Sequence, residues 1–411
     1  MGDIPRQRNI TIEFDCQFKV ELPSSDYSTI MKAFLILLPT LLTDFFQKVL
    51  VGFAEYYMAL EQKPFSCNCC GNDIEFTWKT RHGKATQILT WFRWITLQQL
   101  QILCKKCGKK QYITRQLLGM EPRKRVPLEV KRKFALMGAL TSYRVAEKFG
   151  KMFGWLVDKM TIWRSVQQIG KELEFVVDGD EEPHCEADGT GIGIVGAPKR
   201  GKELKVLLQY KKGSGVRIAG VDIGNYNGSW NKLFKKSIKV IKKFRQPFLL
   251  VTDGDTSIFD ALKGKVKVIV QRCLWHIPYQ AKYVLWQDSV KRKSDEWLHV
   301  IAELMEICAI RRLVDCPDTI QAMIASKKKR LEEVIEFCRG KEFTHTATYL
   351  ENARGDMFTA IENRLNGTTT SRVERVFRTV NMRVDVSDWS MEGVLNCVKV
   401  RLAYYYNGFD A

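Results

Sequence analysis

The stretch HCEADGTGIGIV, residues 184–195, decides the architecture. With ELKVLLQYKK (203–212) and VRIAGVDIGNY (216–226) it forms three apolar segments joined by glycine-containing turns, the pattern of three consecutive strands. SWNKLFKKSIKVIKKF (229–244) changes period. Leu233 or Phe234, Ile238, Ile241 and Phe244 recur at helical spacing, with Lys232, Lys235, Lys239 and Lys242 between them. PFLLVTDGD (247–255) then reads as a buried strand, TSIFDALKG (256–264) as a short helix and VKVIVQRC (266–273) as another buried strand. The order is β-β-β-α-β-α-β, an α/β domain. Asp188 lies in its first strand and Asp253 at the carboxyl end of its fourth, 65 residues later.

Downstream, Arg272-Cys273-Leu274-Trp275-His276 closes the fifth strand, and residues 277–360 are largely helical in pattern. The segment NGTTTSRVERVFR (366–378) follows, with Glu374 one turn into a helix. Strand order, the two acids, the Cys-x-x-His and the late Glu resemble the DDE transposases, and among them the Mutator-like superfamily and related bacterial and archaeal insertion-sequence transposases. The resemblance covers about residues 185–411. It implies a ribonuclease H-like core, a mixed sheet in the order β-β-β-α-β-α-β-α, in which the first and fourth strands are neighbours and a helical insertion precedes the catalytic Glu. It also implies DNA transposition, with Asp188, Asp253 and Glu374 as the catalytic acids and Cys273 and His276 as support of the active site. The chemistry needs such a triad. In-line attack on a phosphodiester uses two Mg²⁺ (or Mn²⁺) ions about 3.5–4 Å apart, and three clustered carboxylates repel one another unless cations lie between them.

Each acid has a plainer reading. Asp188 and Asp253 precede glycines and suit turns, and Asp255 rivals Asp253. Ser371-x-x-Glu374 fits a capping box, and Glu374 can pair with Arg378. Cys273 and His276 supply only half the ligands of a structural zinc site. Trp275, Trp286 and Trp297 are candidates for stacking on a splayed base, with core packing expected for at least two of them.

Upstream, Cys67, Cys70 and Gly71 are answered by Cys104, Cys107 and Gly108 across aromatic-rich, strand-like sequence. Paired CxxCG knuckles read as a zinc ribbon holding one structural Zn²⁺, with Cys69 as an alternative ligand. Between Lys105 and Lys133 there are eleven Lys or Arg against two acids, a composition that tracks phosphates; Lys124 and Arg125 are its candidate DNA contacts. Residues 128–174 divide into three short helices, a helix-turn-helix with Thr141 or Ser142 capping the second and Thr161 the third. Its last helix would present Thr161, Arg164, Ser165 and Gln168 on a polar face, with Arg164 and Gln168 toward DNA bases. At the start of the chain, residues 10–22 alternate like a strand and residues 27–61 read as a buried helix, within which the apolar run from Phe34 is interrupted by Pro39 and stopped by Asp44.

The expected organisation is therefore multidomain: an N-terminal element for oligomerisation (1–62), a zinc ribbon (63–121), a basic linker and helix-turn-helix (122–180), the first part of the core (181–276), the helical insertion (277–360) and the closing core helices (361–411). The 411 residues carry 65 Lys and Arg against 46 Asp and Glu, a net charge of +19 that suits a polyanionic partner. A hydrophobic share of 45% excludes wholesale disorder, and the longest apolar run, Phe34 to Leu42, is too short to span a membrane. No apolar segment of signal type opens the sequence, so an intracellular chain with reduced cysteines is expected. The sequence thus predicts a DNA transposase that binds terminal inverted repeats and target DNA as a homodimer or higher homo-oligomer. A transposase-derived DNA-binding regulator that no longer cuts is the alternative.

Overall fold

The computed structural model describes residues 20–409 except 22, 61–64, 73–75, 91–92, 122, 153–154, 198–201, 227, 311–316, 366 and 386–388. The N-terminal strand expected at 10–22 lies almost wholly outside the described residues, as do Pro64, Pro122, Gly154 and Asn366. Two compact units divide between Val166 and Gln167.

In the first unit, α1 (Tyr27–Ala59) is one helix, begun by Asp26, whose Oδ1 accepts the Thr29 N–H at 3.0 Å. It runs through Pro39 as one helix and departs from expectation in its burial, since only Leu50 and Ala54 are fully buried. Asp44, where the apolar run stops, sits within the helix and is paired with Lys48 one turn on at 3.1 Å. By length and composition alone α1 is a helix that can cross a membrane. Its buried side packs on an antiparallel sheet ordered β1-β2-β3, formed by β1 (Phe76–Leu89), β2 (Trp94–Cys104) and β3 (Lys110–Tyr112). After α2 (Thr114–Leu117) come α3 (Leu128–Leu140), α4 (Tyr143–Met152) and α5 (Lys159–Glu172). Val130, Phe134, Ala146, Val157 and Ile162 form the small core between these helices. Ser142 caps α4 through the Val145 N–H at 3.2 Å. Asp158, not Thr161, caps α5, because its carboxylate takes the N–H groups of Met160 and Thr161 at 2.7 and 2.9 Å.

The second unit is built on a five-stranded mixed sheet ordered β6-β5-β4-β7-β8. Its strands and helices alternate as β4 (His184–Ile192), β5 (Lys202–Tyr210), β6 (Val216–Gly224), α6 (Asn231–Phe234), α7 (Ile238–Ile241), β7 (Phe248–Thr252), α8 (Thr256–Asp260) and β8 (Val268–Arg272). The first three strands are antiparallel, whereas β7 runs parallel to β4 and β8 parallel to β7. The single helix expected over 229–244 is two short ones. Buried Ser237 interrupts it, donating its N–H to Phe234 O at 2.8 Å and accepting the Val177 N–H on its hydroxyl at 3.0 Å. The apolar positions are the expected ones: Leu233, Phe234 and Ile241 are buried against the sheet.

Helices α9 (His276–Gln287), α10 (Asp295–Cys308), α11 (Pro317–Gly340) and α12 (Thr344–Arg354) make an apolar bundle of their own, followed by α13 (Thr359–Glu362). The chain then closes with α14 (Ser371–Val384) and α15 (Met391–Tyr406). Asn407 protects the sheet edge, exchanging both its amide bonds with the Ile218 backbone at 2.8 and 2.9 Å. Where α5 passes α15, a Cβ on Gly170 would stand 2.4 Å from the Asn396 carbonyl oxygen and 2.6 Å from its Cα. Backbone cannot yield there as a side chain can, so Gly170→Ala is expected to destabilise the chain by about 1–3 kcal/mol in a denaturant titration.

Candidate active site and metal centres

Strand pairing brings the two aspartates together. Ala187 on β4 is in register with Thr252 on β7, so Asp188 and Asp253 are the next residues along two adjacent parallel strands. Asp188 is buried. One of its oxygens accepts its neighbour's N–H from Gly189 at 2.7 Å, and Oδ2, also buried, has no hydrogen-bond partner among the described residues. Asp253 Oδ1 accepts the Asp255 N–H at 2.9 Å. Asp255 is otherwise engaged: its carboxylate caps α8, taking the Ser257 N–H at 2.9 Å and the Ser257 hydroxyl at 2.8 Å.

Glu374 arrives on the first turn of α14, with Oε1 3.4 Å from His276 Nε2. Asp188, His276 and Glu374 each offer a ligand atom within 4.8 Å of the others. Asp253 is not in that trio but acts on it electrically. Burial, then the charge of Asp253 and that of Glu374, push the Asp188 carboxyl well above the usual range, with His276 opposing. Burial also raises Asp253. Burial disfavours the His276 imidazolium, but its hydrogen bonds to Cys273 and Glu374 and the charge of Asp188 prevail and raise it to about 10. Cys273 is buried yet its thiol is lowered, since hydrogen bonds to His276 and Thr370 outweigh the desolvation. Thr370 joins the pieces: its N–H donates to Cys273 Sγ at 3.2 Å and its hydroxyl lies 3.3 Å from His276 Nδ1. The cluster therefore draws in a positive charge, and its set of hard carboxylate oxygens suits a divalent cation of the Mg²⁺ or Mn²⁺ type.

The capping box expected at Ser371 does not form. The N–H groups of Arg372 and Val373 instead donate to Glu186 Oε2 at 3.1 and 2.8 Å, and the Tyr210 hydroxyl donates to Glu186 Oε1 at 2.6 Å. Glu186 is fully buried, two residues from Asp188 on the same face of β4. It ties the start of α14, and with it Glu374, to the strand that carries the aspartate. Sequence reading passed over it, although a Glu inside an apolar strand is the signal to look for. Glu203 on β5 was missed too. It lies against Gly189, where a Cβ would stand 2.1 Å from Glu203 Oε1, and is paired with buried Lys205 at 3.3 Å.

Beneath Glu186, His184 stacks on Tyr210 with centroids 4.1 Å apart and planes at 5°. Gly367, at φ +128°, passes so close to this imidazole that a Cβ there would lie 2.4 Å from its Cε1. Burial lowers His184 from 6.5 to about 4. The folded state then binds fewer protons than the unfolded one across that window, so stability is intact above pH 6.5 and falls as the pH drops toward 4. This contribution is about 3 kcal/mol. Glu186, raised by burial, has the opposite slope. Unfolding free energies of wild type and His184→Gln, measured from pH 7 to 4, should therefore diverge by the His184 amount alone, with wild type losing more.

In the first unit the four cysteines meet. Cys67 and Cys107 sulfurs are 3.5 Å apart, and those of Cys70 and Cys104 3.6 Å. The two knuckles match: Gly71 N–H donates to Cys67 O and Gly108 N–H to Cys104 O, both at 2.9 Å, with the glycines at φ +68° and +71°. Cys69 lies outside the set of four and is exposed. Four thiols at this spacing can hold a tetrahedral zinc ion.

Of the residues expected to meet DNA, Lys124, Arg125 and Arg164 are exposed. Gln168 donates to Glu172 Oε1 at 3.1 Å. Ser165 leaves the polar face: it is buried, its hydroxyl donating to Thr161 O at 2.9 Å. The tryptophans also depart from expectation. Trp297 packs into the helical bundle, but Trp275 and Trp286 are exposed.

No protein-family model matches the chain, and no curated protein does. Among solved structures it is similar to a chain of the Drosophila P element transposase strand transfer complex, at 9% identity and a TM-score of 0.40, covering 69% of this chain and 93% of that one. A likeness at that level says nothing of chemistry, which rests on the residues above.

Proposed function

We propose that the chain is a DDE-type DNA transposase, with a ribonuclease H-like core that cleaves and joins DNA strands. One observation carries this reading: residues 188, 276 and 374, far apart in sequence, converge with ligand atoms within 4.8 Å of one another beside Asp253, around a buried and unpaired carboxylate oxygen. Asp188, Asp253 and Glu374 would hold the divalent cations, which when bound activate the attacking oxygen and stabilise the leaving one. The chain's own part is placement. Adjacent strands fix the two aspartates, Glu186 fixes the helix of Glu374, and Cys273 with Thr370 fixes His276. His276 would set an imidazole beside the acids, with Nε2 3.4 Å from Glu374 Oε1 and Nδ1 3.3 Å from the Thr370 hydroxyl.

The rest of the reading follows from the modules. The ribbon with one structural Zn²⁺ and the helices α3 to α5 would hold double-stranded terminal repeats, with Arg164 and Gln168 toward bases and Lys124 and Arg125 toward phosphates. The working form would be a homodimer or higher homo-oligomer on DNA, inside the cell. The test uses the duplex that flanks the gene itself. Purified chain with Mg²⁺ should bind it and nick it at the borders of inverted repeats, and should not nick it without divalent cation. Specific binding with no cleavage under any divalent ion would favour the regulator instead.

A further inference from the structure

The outer face of α9 has no part in the reading above. Helical spacing sets Trp275, Tyr279, Lys282, Tyr283 and Trp286 on one stripe. On the opposite face Ile277, Ala281 and Leu285 are buried in the core of the helical bundle. The four rings are 57, 59, 52 and 69% exposed. They form two stacked pairs: Trp275 with Tyr279, centroids 5.5 Å apart at 13°, and Tyr283 with Trp286, 5.7 Å at 29°. At 1.5 Å per residue the stripe is about 17 Å long.

Its two ends are distinct. At the first, the Trp275 ring lies 5.1 Å from His276 of the acid cluster, and a hollow of about 290 Å³ opens beside Trp275, Tyr279, Lys282 and Thr368. At the second, a hollow of about 680 Å³ beside Trp286 is lined by Lys291, Arg292 and His345. Lys282, Lys291, Arg292 and Lys293 are exposed, and no carboxylate shares the stripe.

Flat π-faces flanked by cations suit a polyanion whose own flat rings are free to stack. A duplex hides its base faces, whereas an unpaired strand presents them. A second copy of this chain fits poorly, since a symmetric contact would set cation against cation. We propose that the α9 stripe is a track for an unpaired DNA strand of about three or four nucleotides, one base face per ring, leading away from the acid cluster. The inference rests on the nuclease reading only for the direction of the track.

Binding can be measured on the full-length chain without added divalent cation, by anisotropy of a labelled twelve-residue oligothymidylate and of a labelled duplex. Tyr279→Ala and Trp286→Ala should each weaken oligothymidylate binding about tenfold and the double variant about a hundredfold, with duplex binding unchanged. Tyr279→Phe and Trp286→Phe, which keep a ring, should stay within about twofold of wild type. A double alanine variant that binds oligothymidylate like wild type overturns the proposal. So does one that loses duplex and oligothymidylate affinity equally, or one that changes only its sedimentation, which would make the face a protein contact. The two readings fail separately. A chain that grips the strand through these rings yet never cuts refutes the nuclease, and a chain that cuts while the double alanine variant keeps full strand affinity refutes the track.

Discussion

Glu374→Gln should abolish strand cleavage and joining, by about a thousandfold or more, while folding, zinc content and specific DNA binding stay as in wild type. The substitution separates metal ligand from helix cap with little ambiguity, because the cap of α14 is already supplied by Glu186 and owes nothing to the Glu374 side chain. Glutamine keeps size and a carbonyl oxygen but brings no negative charge to a cation. The same loss is expected for Asp188→Asn and Asp253→Asn. Asp255→Asn should differ: its carboxylate holds the first turn of α8, and asparagine caps nearly as well, so activity should survive with a stability change below about 1 kcal/mol. A time course of nicking on a terminal-repeat duplex in Mg²⁺, set beside a binding isotherm from the same preparations, decides the matter. A Glu374→Gln chain that cuts at near wild-type rate would remove the third acid from the site.

Removing zinc should have an effect as large, on folding instead of chemistry. The ribbon is a three-stranded sheet whose two knuckles bring Cys67, Cys70, Cys104 and Cys107 together, and structural zinc sites of this kind contribute on the order of 10 kcal/mol of binding energy to the folded state. Metal analysis should find one zinc per chain, at thiolate distances of about 2.3 Å by X-ray absorption. Cys104→Ser should lose that zinc and the protease resistance of residues 65–121, whereas Cys69→Ser should change neither. Zinc content untouched by Cys104→Ser would refute the site.

Much of this was legible in the sequence because period and spacing are local. The alternation of apolar segments from His184 to Cys273 gives the observed strand order, and paired CxxCG knuckles are met by four converging sulfurs. What escaped was decided by contacts between distant segments. Nothing near Ser237 says that its hydroxyl will take the Val177 N–H and break a helix in two. Ser371-x-x-Glu374 is a sound local capping pattern that loses to a buried carboxylate 188 positions earlier than Glu374, since Glu186 is already desolvated and gains two N–H donors in place of water. Helix α1 was misjudged for another reason. Its extent follows the apolar pattern, through Pro39 and Asp44, but burial cannot be read from apolarity alone, and only Leu50 and Ala54 are fully buried.

One geometric detail governs how this protein can change. The helical bundle leaves the sheet at Cys273 and Leu274 and returns at Thr368 and Thr370, and those points touch: Leu274 N–H donates to Thr368 O at 2.9 Å, and Thr370 N–H to Cys273 Sγ at 3.2 Å. Departure and return share one doorway. Whatever is threaded through it, the acids are held from the sheet side, and doubling the length of an already closed loop costs only about 0.6 kcal/mol. The bundle between those points can therefore be lengthened or shortened at little cost while Asp188, Asp253 and Glu374 keep their places.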